Sequence, residues 1–543
     1  MNVTSIATRP FDDQRPGTAG LRKKTRVFTQ PGYLENFLQA VFDTVPDLRG
    51  GTLVAGGDGR YFNREALATL VGLAAGNGVR RLIIGQGGIL STPAASHLIR
   101  SRRADGGFLL TASHNPGGPD GDFGVKFNVA SGGQAPESLT EAVYQASSAL
   151  GRYLIADVSP PDLDRIGEQA AGEMIVEVVD PVGDYAALME RLFDFDRLRD
   201  LLTGGFRFRF DALHAVTGPY ARDIFVNRLG APEDSVLNGV PLPDFGGGHP
   251  DPNPVDAKHL VALMAAPDAP EFAAASDGDG DRNMILGRSF AVSPGDSLAV
   301  LAAQAHRVPG YADGLAGVAR SMPTSRAVDA VAARLGIPCF ETPTGWRFFC
   351  NLLEDGRIDL CGEESYGTSS SHAREKDGLW AVLFWLNLIA VSGRSVEELV
   401  RAHWTDFGRN AFRRHDYFVP EAARAAAVME QLTGRLDSLP GSQGSGGVID
   451  RAESFSYEDP VDGSVSANQG IRVFFDNGDR IVYRLSGTGT SGATLRVYLD
   501  RPVRGDDPSL PADGAAVGDL GGQAHELGDI TRLTGLKEPT GVI

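Results

Sequence analysis

The feature that most constrains this chain is a grammar repeated three times: short apolar runs alternate with helix-length amphipathic stretches, and each round ends in a polar, glycine-rich loop. In the first round TLVAGG, REALATLVGLAAGNG, RRLIIGQGG and PAASHLIRSRR lead to GGFLLTASHN. In the second, FRFDALHAV and a helical stretch around PYARDIFVNRLG lead to EFAAASDGDGDRN; in the third, GLAGVARSM, SRAVDAVAARLG and PCFETPTGW lead to IDLCGEESYG. Strands separated by helices of this length predict α/β units, whose ligands bind beyond the strand ends. The three rounds read as diverged repeats, although no residue-level self-similarity is visible.

The remainder follows a different pattern. After a predicted helix, EAARAAAVMEQLTGRL, comes GSQGSGG, read as a linker, and then alternating runs IRVFFDNGDRIVYRLSG and TLRVYLD with a hairpin expected at Asn477-Gly478. This predicts a C-terminal α+β domain, with the Pro-, Gly- and Asp-rich stretch from Arg501 to Gly522 as a surface excursion. A length of 543 residues exceeds a single core and suits three or four domains at about 150 residues each.

A net charge of −18 opposes general binding to nucleic acid or anionic membrane, so an anionic substrate must be caught by local cations. Only six lysines are present, which makes Lys126 and Lys376 inside motifs informative, because lysine can lose its proton whereas arginine does not. Cys339, Cys350 and Cys361 show no CxxC spacing and are expected to be buried thiols of a reducing cytoplasm. No apolar leader opens the chain, and the longest apolar run, Leu379 to Val391, is interrupted by Asn387; the expectation is a cytoplasmic protein with no membrane span.

Four motifs carry chemistry. In SDGDGDR, glycines separate Asp277, Asp279 and Asp281, so a tight loop can aim three mutually repelling carboxylates at one hard cation. An EF-hand is excluded, since its sixth and twelfth positions would be Arg282 and Arg288. The donor set suits Mg²⁺ completed by a phosphate; the alternative is a solvated acidic turn. TASHNPGG exposes Ser113 beside His114 at a strand end, where a serine can carry a phosphoryl group if a metal or base activates it, or can simply cap a turn. GxSxG is absent, which argues against a hydrolase elbow. RLSGTGTSGATLR, from Arg484 to Arg496, offers backbone N–H groups and two guanidiniums to an anion without a Walker lysine, or else is a flexible loop. CGEESYG sets Glu363 and Ser365 on one face for sugar hydroxyls, although either glutamate of that motif could be a mere surface charge.

In this order the motifs resemble the α-D-phosphohexomutase superfamily, and within it the phosphoglucomutase group found in animals. DQRPGTAGLRKK, VAGGDGRY, IGQGGILSTPA, HPDPNP, ETPTGWRFF and REKDGLWAVL extend the resemblance over nearly the whole chain. It implies three similar α/β domains with mixed sheets and a C-terminal α+β domain around a central cleft. The expected divisions are 1–190 with the phosphoserine, 191–304 with the metal loop, 305–408 with the sugar loop and 409–543 with the phosphate loop. The implied reaction interconverts α-D-glucose 1-phosphate and glucose 6-phosphate through glucose 1,6-bisphosphate, making the chain an intramolecular phosphotransferase of the isomerase class. Ser113 would bear the phosphoryl group and, with Asp277, Asp279 and Asp281, hold Mg²⁺. Arg22 and Arg282 would steady the transferring group, while His114, Lys126 and Lys376 would handle protons and contact phosphate. Thr344, Gly345, Trp346, Glu363 and Ser365 would bind the sugar; Arg484, Ser486, Thr488 and Arg496 would hold the phosphate that is not reacting. The partners implied are small sugar phosphates, with no obligate protein partner indicated. Two departures, Ala19 where the family usually has Ser and Ser371 where many relatives have Asp, touch none of these roles.

Overall fold

The computed structural model describes residues 2–17, 19–444, 447–486, 492–503 and 514–543. Each repeated round folds into a sheet of one topology. In the first, strand Thr52–Gly57 lies parallel between Arg81–Ile89 and Gly106–Leu110, and Asp122–Val129 returns antiparallel beside the last of these. The second places Phe208–Asp211 parallel between Val236–Leu237 and Phe272–Ala275, with Met284–Gly287 antiparallel. The third places Val318–Ser321 parallel between Cys339–Thr342 and Leu360–Glu363, with Gly367–Ser370 antiparallel. The repeat invisible in residue identities is therefore plain in strand order. Its functional consequence is positional: Ser113, the Asp277–Asp281 loop and Glu363–Ser365 all fall on or at the turn between the third and fourth strands of their units. On the first sheet, Leu21–Lys24 adds an outer strand that sets Arg22 opposite Gly124.

The three units share one apolar cluster beside smaller or separate clusters of their own. Leu98, Tyr220, Leu298, Trp380 and Phe384, contributed by helices and turns of all three, belong to a single buried cluster. Helix Gly378–Ser392 is apolar on every side because it is buried on every side, and Asp377 caps its start by accepting from the Trp380 N–H at 3.0 Å. Truncating Phe384 to alanine there would cost about 3–5 kcal/mol. Backbone hydrogen bonds also cross between units: Thr92 N donates to Asp279 O at 2.9 Å, Asn283 N to Tyr366 O at 2.9 Å, and Gly378 N to Gly280 O at 3.1 Å.

The fourth unit is a seven-stranded sheet, antiparallel throughout, with helix Ala422–Thr433 burying Val428 and Leu432 against it. The expected hairpin joins Ile471–Phe475 to Arg480–Ser486, and Gly478 takes the positive φ (93°) that its turn requires. Three expectations change. Strand Arg409–Val419, which pairs along its full length with Ala493–Val503, escaped the sequence reading because Arg409 and Arg414 occupy buried positions and break the apolar alternation. The stretch read as a linker extends the sheet, with Gln443–Gly444 pairing with the strand Gly447–Ser454. The stretch read as an excursion after Arg501 continues the strand to Val503, and beyond 504–513, which lie outside the described residues, it buries Val517 and Leu520 in the fourth core. Cys350 and Cys361 are buried, but Cys339 is exposed. Among the described residues no single helix is long and apolar enough to cross a membrane.

Candidate active site

Ser113 is buried and adopts a left-handed conformation (φ 52°), which costs a non-glycine residue about 1–3 kcal/mol unless its surroundings impose it. Here they do. Its N–H donates to Thr111 Oγ1 at 2.7 Å, and its carbonyl accepts from Arg60 Nη2 at 2.7 Å. Thr111 in turn donates to Asp58 Oδ2 at 2.5 Å, and Arg60 Nε donates to both Asp58 oxygens at 2.9 and 3.0 Å. Asp58 and Arg60 thus form a fully buried ion pair clamping the serine turn, and losing one partner would strand a buried charge at about 3–5 kcal/mol. The VAGGDGRY motif that supplies them entered the sequence reading only as part of the resemblance.

The acidic loop packs directly on that turn. Asp277 Oδ2 accepts the Ser113 hydroxyl at 2.8 Å, and Gly278 is required because a Cβ there would lie 2.3 Å from the Ser113 carbonyl oxygen. Asp277 Oδ1 accepts the N–H groups of Asp281 and Arg282 at 2.9 and 3.0 Å. Asp279 Oδ2 accepts from Thr92 Oγ1 at 2.8 Å. The three carboxylates are all buried, with one oxygen of each within 4.8 Å of the others. Asp279 Oδ1 and Asp281 Oδ1 have no hydrogen-bond partner among the described residues. Burial and the neighbouring charges of Asp281 and Asp279 push the Asp277 carboxyl well above the ordinary range. Burial acts on Asp279 in the same direction, yet Lys126, Lys376 and Thr92 prevail and hold it at about 2. Three converging buried carboxylates, two of them with an unpartnered oxygen, fit a hard divalent cation.

Cations surround the carboxylates. Lys126 Nζ lies 3.8 Å from Asp279 and 3.5 Å from Glu375, and Lys376 Nζ lies 3.1 Å from Asp281. Gly367 allows that approach, since a Cβ there would sit 2.2 Å from Lys376 Cδ. Arg282 donates from Nη1 to Asp251 Oδ1 at 3.1 Å, while Arg22 and Arg282 each bury an Nε without a hydrogen-bond partner among the described residues. The His114 ring, with Nδ1 3.3 Å from Ser113 Oγ, is held neutral by burial and by the charges of Arg282 and Arg22. The Lys376 segment has its own support: Asp377 accepts from Tyr185 at 2.6 Å and pairs with His372 Nε2 at 2.9 Å, whose Nδ1 meets Ser370 Oγ at 2.6 Å. Asp58, Arg60, Thr92 and Glu375 gave no sequence signal of their own, because each acts across a long chain separation, and His372 gave none although its partners Ser370 and Asp377 are near in the chain.

Glu363 closes the third strand end, accepting from Gly345 N at 3.0 Å, and burial raises its carboxyl. Ser365 is half-buried beside it. Thr344 buries a hydroxyl without a hydrogen-bond partner among the described residues. Trp346, at 2% exposure, packs edge-on against Phe349 with centroids 5.0 Å apart and buries its Nε1 without a hydrogen-bond partner among the described residues. Arg484 and Arg496 face each other in register on neighbouring strands of the fourth sheet, with Ser486 opposite Thr494. Thr488 lies outside the described residues. Ser371 donates to Asp359 at 3.0 Å, away from the carboxylate cluster, and Ala19 is half-buried.

Family models for the phosphoglucomutase/phosphomannomutase alpha/beta/alpha domains I, II and III match residues 13–153, 184–289 and 294–407, and that for the phosphoglucomutase-1 C-terminal domain matches 409–540. This chain belongs to the phosphoglucomutase/phosphomannomutase family. Within the family it is 52% identical to the phosphoglucomutase of Rhizobium radiobacter over 99% of both chains, and 47% identical to the cytoplasmic phosphoglucomutase of Populus tremula, again over 99% of both. Its structure is similar to the open form of the exocytosis-sensitive phosphoprotein pp63/parafusin, a phosphoglucomutase from Paramecium, with a TM-score of 0.92, 46% identity and coverage of 100% and 99% of the two chains. Family membership makes the chain a phosphohexomutase, an isomerase that moves a phosphoryl group within a sugar phosphate.

Proposed function

We propose that this chain interconverts α-D-glucose 1-phosphate and glucose 6-phosphate, with Ser113 carrying the phosphoryl group. The observation that carries the reading is the contact of the Ser113 hydroxyl with Asp277 at 2.8 Å, inside a buried three-carboxylate loop ringed by Arg22, Lys126, Arg282 and Lys376. Asp277, Asp279 and Asp281 would hold Mg²⁺ together with an oxygen of the phosphoryl group on Ser113. When bound, that ion supplies Lewis-acid neutralisation of the transferring group.

The protein's own part is positioning, which dominates catalysis when a loose transition state spreads charge over equatorial oxygens. In the forward direction the bond from phosphorus to Ser113 Oγ breaks and a bond to the sugar 6-oxygen forms, while the 6-hydroxyl loses its proton. His114, kept neutral beside Ser113, Lys126 and Lys376 are the groups placed to hold or move protons there. Arg22 and Arg282 brace the phosphoryl oxygens. The resulting glucose 1,6-bisphosphate turns over, its 1-phosphate returns to Ser113, and glucose 6-phosphate leaves. Glu363 and Ser365 bind hydroxyls of the sugar, and the Thr344-Gly345-Trp346 loop beside them helps select the sugar's orientation. Arg484, Ser486, Thr488 and Arg496 grip whichever phosphate is idle.

The division of labour follows the expected units, 1–190, 191–304, 305–408 and 409–543. Movement of the fourth over the cleft would exclude water from the phosphoserine. The cytoplasm is the proposed compartment, in line with the plant relatives named for it, and small sugar phosphates are the proposed partners. A coupled assay from glucose 1-phosphate, with and without Mg²⁺ and added bisphosphate, tests the whole reading; net inorganic phosphate or accumulating bisphosphate in place of glucose 6-phosphate would point to a phosphatase or a bisphosphate synthase.

A further inference from the structure

Glu364 is the acidic residue of the third loop that the mechanism leaves without a task. It is 3% exposed, accepts from the Tyr498 hydroxyl at 3.0 Å through Oε1, and leaves Oε2 without a hydrogen-bond partner among the described residues. A half-satisfied buried carboxylate destabilises a fold relative to an apolar side chain of the same volume, so stability alone does not explain it. Tyr498 is 1% exposed and belongs to the fourth sheet, two residues along the strand from Arg496 and therefore on the same face. Its phenolic oxygen accepts from Arg484 Nη1 at 3.4 Å. Arg496 lies 3.8 Å from Asp416, which also pairs with Arg414 at 3.0 Å. Beside this junction lies a cavity of about 220 Å³ lined by Glu364, Tyr366, Arg409, Arg413, Arg414 and Ile543.

We infer that Glu364 and Tyr498 form a strut that fixes the distance between the sugar-binding strand end and the arginines of the idle-phosphate pocket. Glu363 ends the strand and accepts from Gly345 N, whereas Glu364 opens the turn that follows and accepts from Tyr498, so one short segment serves the sugar through Glu363 and the fourth unit through Glu364. Glu364 and Tyr498 are positioning residues, acting through Arg484 and Arg496, and the inference rests on the assignment of those arginines to the idle phosphate.

The test measures kcat/KM for glucose 1-phosphate, and escape of labelled glucose 1,6-bisphosphate per turnover, in Tyr498→Phe, Glu364→Ala and the double variant. Each single change is expected to lower kcat/KM about tenfold, the scale of losing a hydrogen bond to a charged group, and to raise bisphosphate escape. The double variant should be no worse than the poorer single variant, because both break one contact. Glu364→Gln, which keeps an acceptor oxygen, should recover most of the Glu364→Ala loss. Multiplying losses in the double variant, or wild-type kinetics in Tyr498→Phe, would overturn the strut; the latter holds even if Glu364→Ala fails to fold. Arg496→Ala is measured alongside: wild-type behaviour there overturns the idle-phosphate assignment itself, whereas a defect there with a silent Tyr498→Phe rejects the strut alone.

Discussion

The two places proposed for phosphate are built differently. Around Ser113 the contacts are short and buried: 2.5 Å from Thr111 to Asp58, 2.7 Å from Arg60 to the serine carbonyl, 2.8 Å from the serine hydroxyl to Asp277. In the fourth unit Arg484 and Arg496 are half-buried and reach their neighbours at 3.4 and 3.8 Å. A group that must transfer along one line needs one geometry, and preorganisation lowers the barrier by removing reorganisation at the moment of reaction. A pocket that must take either of two phosphates needs charge and reach, which loosely held guanidiniums provide. On the proposed reading the rigid region sets the chemistry, and the loose one sets how long the bisphosphate stays.

That contrast can be broken in order of severity. Ser113→Ala removes the carrier, so turnover should vanish while sugar-phosphate binding persists; intact mass should show a phosphate adduct in the wild type, and a variant within tenfold of wild-type activity would sink the assignment. Asp279→Asn takes one charge from the carboxylate loop and should lower kcat by at least about a hundredfold, with chelation of divalent metal doing the same to the wild type. Full activity in chelator would remove the metal from the reading. Arg496→Ala belongs to the loose region and should cost about ten- to a few-hundredfold in kcat/KM, equally with glucose 1-phosphate and glucose 6-phosphate, together with a greater need for added bisphosphate. An effect on one substrate only would mean that the pocket is not shared.

The mildest test lies outside both regions. His403 stacks on Phe407 with centroids 4.8 Å apart, and neither ring nitrogen has a hydrogen-bond partner among the described residues; burial lowers its pKa from 6.5 to about 4. Folding disfavours its protonated form, so its stabilisation is complete above pH 6.5 and is lost as pH falls from there through 4. Denaturation at stepped pH should show His403→Phe losing less stability than wild type over that window, by on the order of 2 kcal/mol, with kinetics at neutral pH unchanged. An identical slope would mean that the buried ring is protonated as readily as the unfolded one.

What could be read from the sequence was whatever is local. Apolar runs betrayed the parallel strands, and the turn chemistry of Asn477-Gly478 betrayed its hairpin. Asp277, Asp279 and Asp281 announced themselves by crowding charge into five residues, and Ser113 by its place at a strand end. Arg409–Val419 stayed hidden because its buried arginines look like surface residues until Trp404, Asp416 and the neighbouring strand are in place. Asp58 reaches Thr111 and Arg60 reaches Ser113 across 53 positions each, and Tyr498 reaches Glu364 across 134; no local pattern marks such pairs. Glu363 and Glu364 were indistinguishable as letters, and their different surroundings separate them.

The backbone hydrogen bonds that run from Thr92 to Asp279, Asn283 to Tyr366 and Gly378 to Gly280 have a consequence for cooperativity. Melting of one unit is coupled to the others, because opening any one exposes part of the apolar cluster it shares with its neighbours and strands loop donors. A fragment cut between any two of these units would keep its own buried cluster, as Leu21 to Val178 show for the first, but would expose its part of the cluster that all three build together.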